Sequence, residues 1–206
     1  MKKLFALFAT ILISLSAQAT TFKEGVDYKV LDRPHSEQPV VNEFFSFYCP
    51  HCFQFEHYIE QLKQHFLGKA IFTRSHVSFL GGDMGENMTK AYATMVSLNV
   101  EDKLIPAMFN QIQVKREPPL DIEELKQIFT AHGVSTEDFN DAFNSFAVDS
   151  MARKFDKDFM DSGLRGVPSV VVNNKYLITL KPNRNMTSVD SFFQIYTELV
   201  EYLLKK

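Results

Sequence analysis

Tryptophan is absent from the 206 residues, and cysteine occurs only twice. Two cysteines exclude a multi-bridge disulfide framework and a zinc site built from four thiolates. Glycine and proline number 8 each, too few for a collagen-like or low-complexity chain. Neither sign of charge dominates: 22 basic and 25 acidic residues leave a net −3, so nothing draws the chain as a whole to nucleic acid or anionic lipid. Long apolar runs are also missing, apart from Leu4 to Leu15 at the very start. That run is shorter than the ~18–20 residues a membrane span requires. Lys2 and Lys3 precede it and the small-x-small triplet Ala17-Gln18-Ala19 follows, the pattern of a cleaved secretory signal, expected over residues 1–19. What the chain has in quantity is phenylalanine, 20 residues in all, enough to promise a large apolar core.

Val40 to Phe47 is a mostly apolar, β-prone run suited to a strand covered on both faces. From Pro50 the period changes. Cys52, Phe55, Ile59, Leu62 and Phe66 mark one stripe of an amphipathic helix, Gly68 ends it, and Ala70 to Val77 reads as a second strand. A β-helix-β unit of this length implies a parallel strand pair. Beyond Gly81-Gly82-Asp83 the pattern stays helical for a long stretch, with stripes through Met88, Ala91, Tyr92 and Met95, through Leu125 and Phe129, and through Phe139, Phe143 and Phe146. Asp121 with Glu124 and Ser135 with Asp138 carry capping chemistry, and Met84, Met88 and Met95 read as core filler. Strand character returns at Ser169 to Val172. Asn173-Asn174 predicts a hairpin into Tyr176 to Ile178, and Val189 to Leu203 forms a closing amphipathic helix. The expected fold is α/β: residues 20–81 and 149–206 share one sheet, and residues 82–148 form an inserted all-helical domain.

The two cysteines are Cys49 and Cys52, in the run Cys49-Pro50-His51-Cys52 where strand becomes helix. A bridge closing so small a loop removes little unfolded-chain entropy, so the pair reads as chemistry rather than scaffolding. Cys49 falls at the helix N-terminus, where unpaired N–H groups and the macrodipole favour an anion, and Pro50 suits the first helical position. Cys52 begins the apolar stripe and is expected to point inward. An exposed low-pKa thiol beside a buried one is the asymmetry that thiol–disulfide exchange uses, the first being attacked and the second resolving the mixed disulfide. His51 adds a positive or donor contribution beside Cys49. Stabilising the thiolate stabilises the reduced form and makes the disulfide a stronger oxidant. C-x-x-C is also half a zinc site, but no second cysteine pair completes it and the other donors are scattered histidines such as His57, His76 and His132. Glu43 is the lone acid inside the strand that leads to Cys49. Turned inward it would have a raised pKa and could relay a proton with Cys52; turned outward it would be a solvated carboxylate. Arg74 is its possible partner. Gly166-Val167-Pro168 precedes the later strand, and a proline there is either an edge residue or a cis bond aimed at the cysteine helix.

The signal segment, the run from Glu43 to Cys52, the run from His76 to Asp83, Arg165-Gly166-Val167-Pro168 and Asn173-Asn174-Lys175-Tyr176 together resemble the DsbA family of bacterial periplasmic thiol:disulfide oxidoreductases. The resemblance implies a thioredoxin-like fold with an inserted helical domain. It implies Cys49 as the nucleophilic sulfur, Cys52 as the resolving one, Glu43 as a buried acid near Cys52, Pro168 as a cis-proline and Val167 as a backbone contact for substrate peptides. It also implies periplasmic location, reduced exported proteins as substrates, no cofactor beyond the Cys49–Cys52 disulfide, and reoxidation by a DsbB-type inner-membrane quinone reductase. A groove beside the site would receive that partner, with Gln54 and the loop from Pro182 to Thr187 as its expected contacts, while His51, Gln54, Val167 and Pro168 are the residues expected to meet substrate. No dimerisation segment is evident, so a monomer is expected. Family members commonly carry a tryptophan in the helical domain, and this chain departs from them there. The alternative activities are disulfide isomerisation or reduction, and non-catalytic peptide binding.

Overall fold

The computed structural model describes residues 21–182 and 186–206. The expected signal segment lies outside them, as do three residues of the loop from Pro182 to Thr187.

Five strands, β1 (Tyr28–Val30), β2 (Val40–Phe45), β3 (Ile71–His76), β4 (Ser169–Val172) and β5 (Tyr176–Ile178), form one sheet in the order β1-β5-β4-β2-β3. β2 and β3 run parallel in the register Val40↔Ile71 to Phe45↔His76, and the other pairs are antiparallel. α1 (Pro50–His65) joins the parallel pair. The hairpin between β4 and β5 turns on Asn173 and Asn174, both at positive φ (51° and 58°), as a two-residue primed turn requires. β1 was not expected from the sequence. It is three residues long, and only Tyr28 of the three is buried, so no alternation marks it.

Between β3 and β4 stand α2 (Gly85–Leu98), α3 (Glu101–Phe109), α4 (Ile122–Ala131), α5 (Thr136–Phe143) and α6 (Phe146–Asp161); α7 (Val189–Leu204) closes the chain. The division placed between residues 148 and 149 falls inside α6. Asp121 and Ser135 cap α4 and α5 by accepting from the backbone N–H groups of Glu124 and Asp138. Phe146 is a correction: it is 81% exposed rather than part of the α5 stripe. Ser145 restarts the chain as the N-cap of α6, so Phe146 begins a new helix and faces water. α3 passes directly into a π turn over Asn110–Val114, closed by Lys115 N–H donating to the Asn110 carbonyl at 2.9 Å.

Successive residues of β2 serve different neighbours. Val41 packs with Val170 and Val172 against Ile59, Leu62 and Phe66 of α1 and its end, and against Tyr196, Leu199 and Leu203 of α7. Phe44 joins Val171 in contact with Phe159 and Leu164. Phe45 and Phe47 belong with the helical block: Met88, Tyr92, Met95, Leu104, Met108, Phe109 and Phe129 complete that cluster, which also holds both cysteines. Burial of each such side chain contributes about 1.5–3 kcal/mol, and this shared cluster fixes where the strand's exit points.

Candidate active site

β2 ends at Phe45, and a tight turn carries the chain to Cys49, whose N–H donates to the Ser46 carbonyl at 3.1 Å. Cys49 is the N-cap of α1 with extended backbone (φ −93°, ψ 113°), and Pro50 occupies the first helical positions. The capping group is the sulfur itself: Cys52 N–H donates to Cys49 Sγ at 3.3 Å. A side chain in this position meets the free N–H groups and the positive end of the helix. Both cysteines are free thiols in this structure.

The two sulfurs are electrostatically unlike. The Cys49 pKa is pushed down from 9.0 to about 6, first by the hydrogen bond from the Cys52 thiol, against opposition from burial, and further by the N–H groups of Cys52 and His51 and the charge of His51. Cys52 moves the other way, because its proton is engaged with Cys49 and because it is buried. The expected asymmetry is present, with one correction: Cys49 is not openly exposed but only 6% accessible. Val167 is one of its neighbours, with a carbonyl that accepts from the Cys49 thiol at 3.5 Å. The Val167–Pro168 bond is cis. Val167 touches the cluster around the cysteines and the one around Phe44, so it spans the seam between them.

His51 is exposed in the first turn of α1, and Gln54 is exposed one turn later. Glu43 points inward and is fully buried. Arg74, its register partner on β3, donates Nε–H to Glu43 Oε2 at 2.6 Å and both terminal nitrogens to the two oxygens of Glu56 at 2.8 and 2.7 Å. Glu43 Oε1 has no partner among the described residues. Burial raises the Glu43 pKa from 4.5 to about 7, Arg74 pulls it back, and the second carboxylate, Glu56, raises it again. Burial alone would lower the Arg74 pKa, but the two carboxylates outweigh it and the guanidinium stays charged. Glu56 has no counterpart in the reading from sequence. Its place in α1, 18 residues before Arg74, showed no pattern that links the two.

A cleft of about 390 Å³ lies between α1 and α7, walled by Phe55, Tyr58, Ile59, Phe193 and Tyr196 among others. Tyr58 and Phe193 stack with their planes 9° apart. Neither Gln54 nor the described part of the loop from Pro182 to Thr187 lines this cleft, because Gln54 sits on the solvent side of α1.

His76 also lies behind the site, against the Phe47 N–H, and was read from sequence as one of the scattered histidines and as the start of a motif run. It is fully buried, and its pKa is pushed down to about 3 by burial and by Arg74, so the ring is neutral. Tyr48, beside Cys49, lays its ring against Gly81 so closely that a Cβ there would fall 2.3 Å from a ring carbon; at φ +95° this position favours glycine twice over.

Residues 40–194 match the family model of the DSBA-like thioredoxin domain. The chain is 39% identical to the thiol:disulfide interchange protein DsbA of Dickeya dadantii over 209 aligned residues, and 37% identical to that of Escherichia coli over 210, covering 100% of both chains in each case. Among solved structures it resembles a Proteus mirabilis DsbA variant with a non-covalently bound peptide, at 33% identity and a TM-score of 0.79 over 90% of this chain and 100% of that one. The sheet and its helical insertion are thus a thioredoxin-like fold of the kind those structures share.

Proposed function

The chain belongs to the DsbA-like thioredoxin family and is a protein disulfide oxidoreductase, and from that premise we propose that it acts as an exported, monomeric oxidase. The redox group of this reading is the Cys49–Cys52 pair. A thiolate of a reduced exported protein attacks Cys49 Sγ, the Cys49–Cys52 bond breaks, and a mixed disulfide with Cys49 forms. The electron pair leaves on Cys52, which takes up a proton. Glu43, with its pKa near 7, is half protonated at neutral pH and is the acid assigned to that transfer. A second substrate thiolate then attacks the substrate sulfur of the mixed disulfide and expels Cys49 as a thiolate. The substrate has lost two electrons and gained a disulfide; the enzyme is left as the dithiol. A low-pKa sulfur is the better leaving group, so this last step favours release of oxidised product. The Val167 main chain, beside the sulfur, is assigned to hold the substrate backbone. The dithiol returns to the disulfide through a DsbB-type membrane quinone reductase, for which the aromatic cleft between α1 and α7 is the assigned contact.

The observation that carries the oxidase direction is the Cys49 sulfur serving as the cap of α1, with its pKa driven down while that of Cys52 rises. A thiol whose pKa is lowered by folding loses its proton first in the native state, so its contribution to stability is absent below about 6, grows as pH rises toward 9.0, and reaches about 1.4 kcal/mol at pH 7. The reduced protein should therefore unfold at higher denaturant than the oxidised one at pH 7, and the gap should widen toward pH 9. Equal midpoints, or a glutathione equilibrium like that of a reducing dithiol, would remove the oxidase reading in favour of reduction or isomerisation.

A further inference from the structure

The strand that leads to the reactive sulfur stops at Phe45, so the peptides between it and Cys49 have no sheet partner. Ser46 and Phe47 are fully buried, and buried backbone groups require hydrogen bonds. Ser46 meets two of these needs within the turn, accepting from Tyr48 N–H on Oγ at 3.3 Å and from Cys49 N–H on its carbonyl at 3.1 Å. Phe47 is served from outside. Its N–H donates to His76 Nε2 at 3.1 Å, and its carbonyl accepts from Gln113 Nε2 at 2.6 Å. Because Nε2 accepts, neutral His76 carries its proton on Nδ1, which lies 2.8 Å from Thr89 Oγ1. Thr89 in turn donates to the Gly85 carbonyl at 3.1 Å. One tautomer satisfies the whole chain. Gln113 sits in the π turn after α3 and Thr89 in α2, so the inserted helical block reaches the same peptide from two directions. π turns of this kind recur at functional sites.

We infer that Gln113, and Thr89 acting through His76, are positioning residues for disulfide exchange: they fix the Phe47 peptide and with it the angle at which Cys49 Sγ caps α1. The inference rests on the reading of Cys49 as the reactive sulfur. Any donor and acceptor would satisfy a buried peptide. Partners anchored in the helical block, Gln113 directly and Thr89 through His76, also tie the sulfur's alignment with Cys52 N–H to that block.

The test uses the reduced full chain, with the ultraviolet absorbance of the Cys49 thiolate followed against pH and the equilibrium with glutathione measured in parallel. Gln113→Met keeps the shape and removes the donor; Thr89→Val removes the hydroxyl, and Thr89→Ser restores it. Gln113→Met and Thr89→Val should each raise the Cys49 midpoint by about half a pH unit or more, roughly a threefold fall in its ionisation constant. The glutathione equilibrium should move by a similar factor toward the protein disulfide, while Thr89→Ser behaves as the wild type. Folded variants that melt earlier but titrate and equilibrate as the wild type would overturn the inference and leave the two residues merely structural. If Gln113→Met does not fold, the Thr89 pair decides the matter. A wild-type Cys49 that titrates like free cysteine would instead defeat the oxidase reading, a result distinct from any difference between variant and wild type.

Discussion

Glu43 shares its guanidinium with Glu56, and one carboxylate oxygen of this fully buried acid has no partner among the described residues. In the fold the group titrates near 7 against 4.5 when free. Between those values the native chain holds the extra proton, so the contribution of Glu43 to stability is fully present below 4.5 and is lost as pH rises to 7, on the order of 3 kcal/mol. His76 has the opposite sign. Its pKa falls from 6.5 to about 3, so the unfolded chain takes the proton first, and stability is lost as pH drops through that window. The Glu43→Gln variant isolates the first effect: urea unfolding from pH 4.5 to 7.5 should show the wild type losing stability relative to the variant by about that amount as pH rises. Parallel curves would mean that Glu43 ionises normally.

At the scale of elements, termini decide more than interiors do. α7 begins with a reciprocal cap in which Ser188 Oγ accepts from Ser191 N–H and Ser191 Oγ accepts from Ser188 N–H. Ser188→Ala should cost about 1 kcal/mol in denaturant unfolding and leave the Cys49 titration unchanged. Caps, turns and stripes of this sort are local, which is why β2, α1, the Asn173-Asn174 hairpin and the cysteine cap were legible in the sequence. β1 was not, because a three-residue edge strand has no period to detect. Phe146 was misread because its spacing from Phe143 continues a stripe that Ser145 interrupts. The carbonyl that meets the Cys49 thiol comes from Val167, 118 residues away, and the grip on Phe47 comes from Gln113, 66 residues away. Sequence spacing carries no record of such contacts. Glu43 was undecided for the same reason, since its direction depends on Arg74 of the neighbouring strand.

Across the whole molecule, apolar contact rather than charge joins the helical block to the sheet. Lys63 of α1 reaches Asp102 of α3 at 3.0 Å, but the acid is 87% exposed, and such pairs contribute little. Asp102→Asn should change stability by less than about 1 kcal/mol. Phe109 is the contrast: its ring lies 6.1 Å from that of Phe45, 5.0 Å from Phe47 and 5.7 Å from Phe53. Phe109→Ala should cost about 3–5 kcal/mol by the same measurement. A similar loss for both variants would contradict this account of the junction.

Phe45, Phe47 and the two cysteines share a continuous packed cluster with side chains of α2 to α5. A shortened chain, spliced to omit residues 82–148, would not be a minimal version of this enzyme. It would lay bare to water the underside of the bend that presents the sulfur. The block backs the bend from behind, and trimming it away would leave the sulfur without that support.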